Sequence, residues 1–321
     1  MRVLITGATG FVGGGIVRAL LADGHDVHGL VRDTGAAGAL GRSGVTLHAG
    51  DMREPASYVP LVGQVDAVVQ AAQLSTSGRV TRARAQAVFA AEHTMTAALA
   101  QACLEHGRRL LYTGGCFDWG DHGDEWITEN TALSPSPMGE GHAREAGLLQ
   151  QMHTERGLDV VRLNPGFVYG PGGLLRSAFV DQARNGRLRC IGPGANWWSC
   201  VHVDDLGRAY AVALTTARPG AYYAVADANP IRLRDLTDVV TDAMRKPRVG
   251  SGAPWLVGLF IGGPLVASLV TSFRVDATRI RDELGWQPTH PSFAESGAAE
   301  VTALAGQAND RTDRQVGPEP E

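Results

Sequence analysis

The sequence is poor in cysteine. Its four cysteines, Cys103, Cys116, Cys190 and Cys200, form no C-x-x-C pair. That spacing argues against a thiolate metal site, and free thiols in a reducing cytosol are expected. An excess of positive charge is also missing. The formal net charge of −4 argues against the basic face that nucleic acid requires, and the local cluster Arg79, Arg82 and Arg84 reads as a solvated helix face. There is no leader ahead of the first strand pattern, which starts at residue 2, so a cytoplasmic protein is expected. Nor is there an uninterrupted apolar run long enough to span a bilayer. No charged residue lies between Arg248 and Arg274, and 254–270 is strongly apolar, but Gly262-Gly263-Pro264 cuts it in two. Each half is too short for a span, so no stable membrane insertion is expected. The halves read as two short apolar helices, either a core hairpin or a lid over a ligand.

What is present is concentrated at the start. Arg2-Val3-Leu4-Ile5-Thr6 is a short apolar and β-branched run that ends in Gly7-Ala8-Thr9-Gly10-Phe11-Val12-Gly13, after which Val12, Ile16, Val17, Leu20 and Leu21 recur at helical spacing. Strand, glycine turn and helix form the setting in which a dinucleotide fingerprint is credible. Gly7 allows the tight turn, Gly10 lets the backbone approach a pyrophosphate, and Gly13 lets the helix pack close to the strand. The helix N-terminus offers free N–H groups and a partial positive charge to phosphates.

Asp26–Val31 reads as a second strand. Its end would meet the adenosine ribose, where an acid binds a free 2′-hydroxyl. This chain has Val31 and then Arg32, and a guanidinium suits a 2′-phosphate, so NADP(H) is the expected cofactor. Residues 45–52 read as a third strand with Asp51 at its end, placed to accept from the adenine amine. Residues 66–72 form a continuous apolar strand of the kind buried in parallel sheets. A helix over 80–106, a strand over 109–115, a helix over 138–156 and a strand over 158–163 follow. This alternation defines an α/β fold with a Rossmann-type doubly wound parallel sheet.

Taken together, these stretches resemble the extended short-chain dehydrogenase/reductases, the group of nucleotide-sugar epimerases, dehydratases and dihydroflavonol-type reductases. Thr6 to Gly13 matches that family's glycine motif and Gly50-Asp51 its adenine-side turn. Asn164 to Gly172 resembles its nicotinamide-side loop, Val201-His202-Val203-Asp204-Asp205 its late structural motif, and Leu284-Gly285-Trp286-Gln287-Pro288 the end of its substrate lobe. The resemblance implies a cofactor domain over 1–170 and a smaller substrate lobe over 171–305, with 201–226 returning to the sheet; composition marks 306–321 as a disordered tail. It implies cofactor contacts from Gly7, Thr9, Gly10, Phe11, Val12, Gly13, Arg32, Asp51, Met52, Ala71, Ala72, Gln73, Thr113, His142, Pro165, Phe167 and Val168.

The family's chemistry rests on a Ser or Thr that holds the substrate oxygen, a Tyr that moves the proton, and a Lys one turn later that holds the nicotinamide ribose. The Tyr-x-x-x-Lys spacing puts the last two on one helix face. Here the hydroxyl position falls on Gly115, the Tyr position on Met138 and the Lys position on His142. Met138 cannot donate a proton and Gly115 has no side chain, so no confident acid or base remains; His142, standing in for the lysine, is expected to hydrogen-bond the cofactor. Hydride transfer can survive this loss, because positioning supplies about 7–11 kcal/mol of a barrier and acid–base help only roughly 10²–10⁴ in rate. A ketone beside a phenol is an acceptor with its own proton source. The degenerate triad looks similar to that of atypical ketoreductases that tailor aromatic polyketides.

The expected substrate is therefore a small aromatic molecule, met by Gln73, Gly115, Met138, Trp197, Trp198 and Trp255, with no metal, no nucleic acid and room for a homodimer. A non-catalytic NADP(H)-binding sensor or scaffold and a nucleotide-sugar epimerase or dehydratase are the competing readings. The latter needs the missing tyrosine.

Overall fold

A computed structural model of the chain describes residues 1–74 and 78–312. Seven strands form one parallel sheet: β1 Arg2–Thr6, β2 Asp26–Val31, β3 Thr46–Ala49, β4 Ala67–Gln70, β5 Arg109–Thr113, β6 Val160–Pro165 and β7 Tyr222–Val225. Their order is β7-β6-β5-β4-β1-β2-β3. The chain reverses direction across the sheet between β1 and β4, where Thr6 pairs with Gln70. Ligands of such sheets bind outside the carboxyl ends of the strands at this switch point.

Alternate residues of each strand face opposite layers. Val3, Ile5, Val69, Leu111 and Val161 point to one face and pack with Ile16, Val17 and Leu20 of α1 (Phe11–Ala22) and with Leu206 and Ala209 of α2 (Val203–Thr216). Leu4, Val68, Leu110, Tyr112 and Val160 point to the other. There they meet Met95 and Leu99 of α3 (Arg82–Glu105) and Leu149 and Met152 of α4 (Glu140–Arg156). Fully burying one such side chain stabilises by about 1.5–3 kcal/mol. The first α3 turn is capped by Thr81, whose hydroxyl accepts from Arg84 N. The α4 helix stops at Gly157, which takes the left-handed φ of 76°.

The late motifs are joined through Asp205, which has no exposed surface. Its carboxylate accepts from Thr289 Oγ1 at 2.8 Å and from His290 N at 2.9 Å, and its carbonyl accepts from Trp286 Nε1 at 3.0 Å. These bonds fasten the residues after Leu284 to the start of α2. The apolar stretch forms two helices, Pro254–Ile261 and Gly263–Leu269, hinged at Gly262, whose φ is +104° and whose Cβ position lies inside the Val80 carbonyl. Among the described residues no helix is long and apolar enough to cross a membrane. One expectation is corrected at the C-terminus: the helix that starts at Phe293 runs to Thr312, so 306–312 are helical and not tail. Residues 313–321 lie outside the described residues.

Candidate cofactor and substrate site

The glycine turn has the geometry that its spacing demands. Gly7 has φ +73°, and a Cβ there would lie 2.7 Å from Ala72 N. A Cβ on Gly13 would overlap the Gly7 carbonyl, so the first turn of α1 can sit against β1 only with glycine there. Gly10 precedes α1 with no side-chain cap, and the first turn carries no acid. Its N–H groups are therefore free for an anion. Thr9 is exposed beside them. Phe11 packs against the Gly170–Gly173 turn, where a Cβ on Gly173 would lie 2.5 Å from its ring, and Val12 is partly buried against the core. Thr9, Gly10, Phe11, Arg18, Leu40 and Pro171 border a cavity of about 520 Å³. It adjoins the phosphate end and none of Gly115, Met138 or His142 lines it.

Arg32 is exposed at the end of β2 and makes no hydrogen bond or ion pair among the described residues. Asp51 is held by Arg53, Nη2 to Oδ2 at 2.6 Å and backbone N to Oδ1 at 2.9 Å. These bonds pull its pKa down to about 2. Met52 is buried behind it. Arg53, which the sequence reading does not single out, thus holds its guanidinium on the Asp51 carboxylate. Ala71 N donates to the Thr6 carbonyl at 3.2 Å and Ala72 N to Thr6 Oγ1 at 3.3 Å, which carries the chain past the glycine turn. Gln73 is exposed at that mouth.

Of the three altered triad positions, Gly115 and His142 are brought together, and Met138 packs elsewhere. Gly115 follows β5, and a Cβ on it would lie 3.3 Å from His142 Cδ2. The Met138 side chain packs against the buried cluster of Val80, Ala85 and Phe89, and its N–H donates to Ser268 Oγ at 2.9 Å. The Nδ1 of His142 lies 3.0 Å from the Tyr112 hydroxyl, and burial pushes the imidazole pKa down to about 4. Thr113 faces the other layer, where Tyr210 donates to its hydroxyl at 2.6 Å. Behind Gly115, Asp118 accepts from Asn164 Nδ2 at 2.8 Å, and burial lifts its pKa to about 8. Pro165 closes β6, and the return from it runs through Gly166 into a short strand, Phe167–Tyr169, that holds Phe167 and Val168 and is pinned by Phe167 N on the Ser199 carbonyl at 2.8 Å. Lys246, the one lysine of the sequence, donates to the Arg184 carbonyl and is no substitute for the family's lysine.

Two expectations for the substrate are corrected. Trp198 is 3% exposed and belongs to an aromatic core, with ring centroids 5.0 Å from Phe167 and 5.8 Å from Phe273. Trp197 lies under Arg232, 3.8 Å from its centroid, and donates Nε1 to Asp124. Aromatic and cation–π partners already occupy both rings. Trp255 is 73% exposed on the helix Pro254–Ile261, with Phe260 at 74%. Tyr112 lies on β5 and not on the helix face where the family's tyrosine stands, yet its hydroxyl reaches His142. Strand alternation carried the signal, since Tyr112 must face the layer opposite Thr113, under α4.

Residues 3–226 match the NAD dependent epimerase/dehydratase family, and the chain belongs to it. A 3-diazoavenalumate denitrifying reductase from a Streptomyces species is 30% identical over 305 residues, 92% of this chain and 98% of that protein. A 2-alkyl-3-oxoalkanoate reductase of Stenotrophomonas maltophilia is 27% identical over 277 residues, 82% of this chain and 81% of that one. Among solved structures, the dTDP-glucose 4,6-dehydratase DesIV of Streptomyces venezuelae, with NAD and TYD bound, superimposes with a TM-score of 0.82 at 25% identity, covering 96% and 98% of the two chains.

Proposed function

We propose that this chain is an NADPH-dependent ketoreductase acting on a fused-ring aromatic ketone of the polyketide type. One observation carries the reading: the pyrophosphate cradle is complete, while the positions that would move a proton hold Gly115, a thioether and a neutral imidazole. The glycine cradle, which any Cβ at Gly7 or Gly13 would fill, fits a dinucleotide, with Arg32 fitting its 2′-phosphate. The cofactor supplies the hydride. The protein's own part is to hold the ketone over the return loop and exclude water beneath the apolar helices 254–270. The phenol beside the ketone would pass its proton to the developing alkoxide oxygen, and the phenolate would be reprotonated by solvent as the product leaves. A nucleotide-sugar epimerase needs the tyrosine that Met138 replaces. The reductase names of two relatives support the same direction.

The test is NADPH oxidation against a panel of fused aromatic ketones and nucleotide sugars. The expected result is turnover of the ketones alone. Tight NADPH binding with no ketone reduced would make the chain a non-catalytic NADP(H)-binding protein instead.

A further inference from the structure

His142 stands at the lysine position, and one of its ring nitrogens is already engaged. Its Nδ1 meets the Tyr112 hydroxyl at 3.0 Å. Tyr112 is 4% exposed, and burial raises its pKa well above the ordinary tyrosine value. The hydroxyl therefore keeps its proton and can donate it to Nδ1. A neutral imidazole carries one ring proton, so with Nδ1 accepting that proton sits on Nε2. Nε2 has no hydrogen-bond partner among the described residues. It faces Gly115: a Cβ there would lie 3.6 Å from Nε2 and 3.3 Å from Cδ2. Gly115 is where the family resemblance puts the hydroxyl that holds the substrate oxygen. A side chain at 115 would crowd the imidazole edge, and glycine admits it.

We infer that the Nε2–H of His142, fixed in its tautomer by Tyr112, takes over the missing hydroxyl's task and hydrogen-bonds the substrate carbonyl oxygen. The inference rests on the reductase reading. It makes Tyr112 a positioning residue and His142 the donor that strengthens its bond as negative charge develops on oxygen. No proton leaves the imidazole. The phenol of the substrate remains the source.

The test uses a tetralone whose ketone lies peri to a phenol, with NADPH and the full chain. His142→Ala should lower kcat by about 10²–10³, as loss of one preorganised donor does, while NADPH affinity stays within about threefold. His142→Gln, which keeps an N–H, should recover part of that loss. Tyr112→Phe should lower kcat by about tenfold, and the double variant should be no slower than His142→Ala, because the two act as a unit. NMR of the histidine ring nitrogens should show Nε2 protonated in the unaltered protein and a mixed population in Tyr112→Phe, a change that loss of packing alone would not produce. A protonated Nδ1 in the unaltered protein would overturn the inference. So would a His142→Ala protein that loses NADPH affinity yet keeps its kcat, since His142 would then hold the ribose. An unaltered protein that reduces no ketone removes the reductase reading itself and the substrate-oxygen role with it, whereas turnover without a His142 effect removes only the inference.

Discussion

The backbone N–H of Met138 donates to the hydroxyl of Ser268 at 2.9 Å, and Ser136 Oγ donates to the same oxygen at 2.9 Å. The inner apolar helix, Gly263–Leu269, is thereby tied to the entrance of α4, and Leu265 and Met138 pack on the same buried cluster of Val80, Ala85 and Phe89. The outer helix instead leaves Trp255, Leu259 and Phe260 exposed. Hydrogen exchange should therefore be slow in 263–269 and fast in 254–261, and the peri-hydroxytetralone should slow 254–261 beyond the effect of NADPH alone. Identical exchange with and without the ketone would make the hairpin plain structure.

Ser268→Ala should loosen this tie. It leaves the half-buried Met138 N–H without its acceptor, at a cost of about 1 kcal/mol. Thermal unfolding should register the loss, and exchange over 263–269 should accelerate. An unchanged midpoint would mean that Leu265 packing holds the hairpin by itself.

Cofactor choice rests on Arg32. Arg32→Ala should cost about 1.5–3 kcal/mol of NADPH binding, the range for a hydrogen bond to a charged group, and leave NADH nearly untouched. Calorimetry measures both. Equal affinity of the unaltered protein for NADH and NADPH would contradict the assignment.

Asp205 should make stability depend on pH. Burial pushes its pKa up, but the bonds from His290 N and from Thr289 outweigh this and hold it below the ordinary value. A lowered folded pKa stabilises above the unfolded value, and that contribution is lost as pH falls through the folded one. Asp205→Asn should cost about 1.5–3 kcal/mol at neutral pH. The gap between it and the unaltered protein should narrow below about pH 4, the unfolded aspartate value. Denaturant midpoints at both pH values decide it, and a constant gap would refute the linkage.

The elements that the sequence shows plainly are those whose signal is local. Asp26–Val31 pairs along its whole expected length, and the apolar run at Ala67–Gln70 is buried throughout, as a central parallel strand must be. The glycine turn is equally legible, since each glycine answers a steric demand within a few residues. The third strand is shorter than its pattern, Thr46–Ala49, because it is the sheet edge and the chain turns away at Gly50. What depends on distant partners is less readable. A tryptophan pair fits a ligand cleft or a core equally well until Phe167, Phe179 and Phe273 are seen around Trp198. The Tyr112 contact was hidden for a similar reason: the tyrosine of interest was sought on α4, and this one reaches His142 from the strand beneath. Arg53 was obscured by Asp51, its partner two residues away. The helical turn at 306–312 continues through a polar composition that alone suggests a tail.

The central claim is that the proton comes from the substrate. The most direct measurement compares kcat for the peri-hydroxytetralone with that for its methyl ether, at saturating NADPH. The account predicts that methylation slows turnover by about 10²–10⁴, the range for losing a positioned acid. A methyl ether reduced at the full rate would contradict it and place the proton donor on the protein.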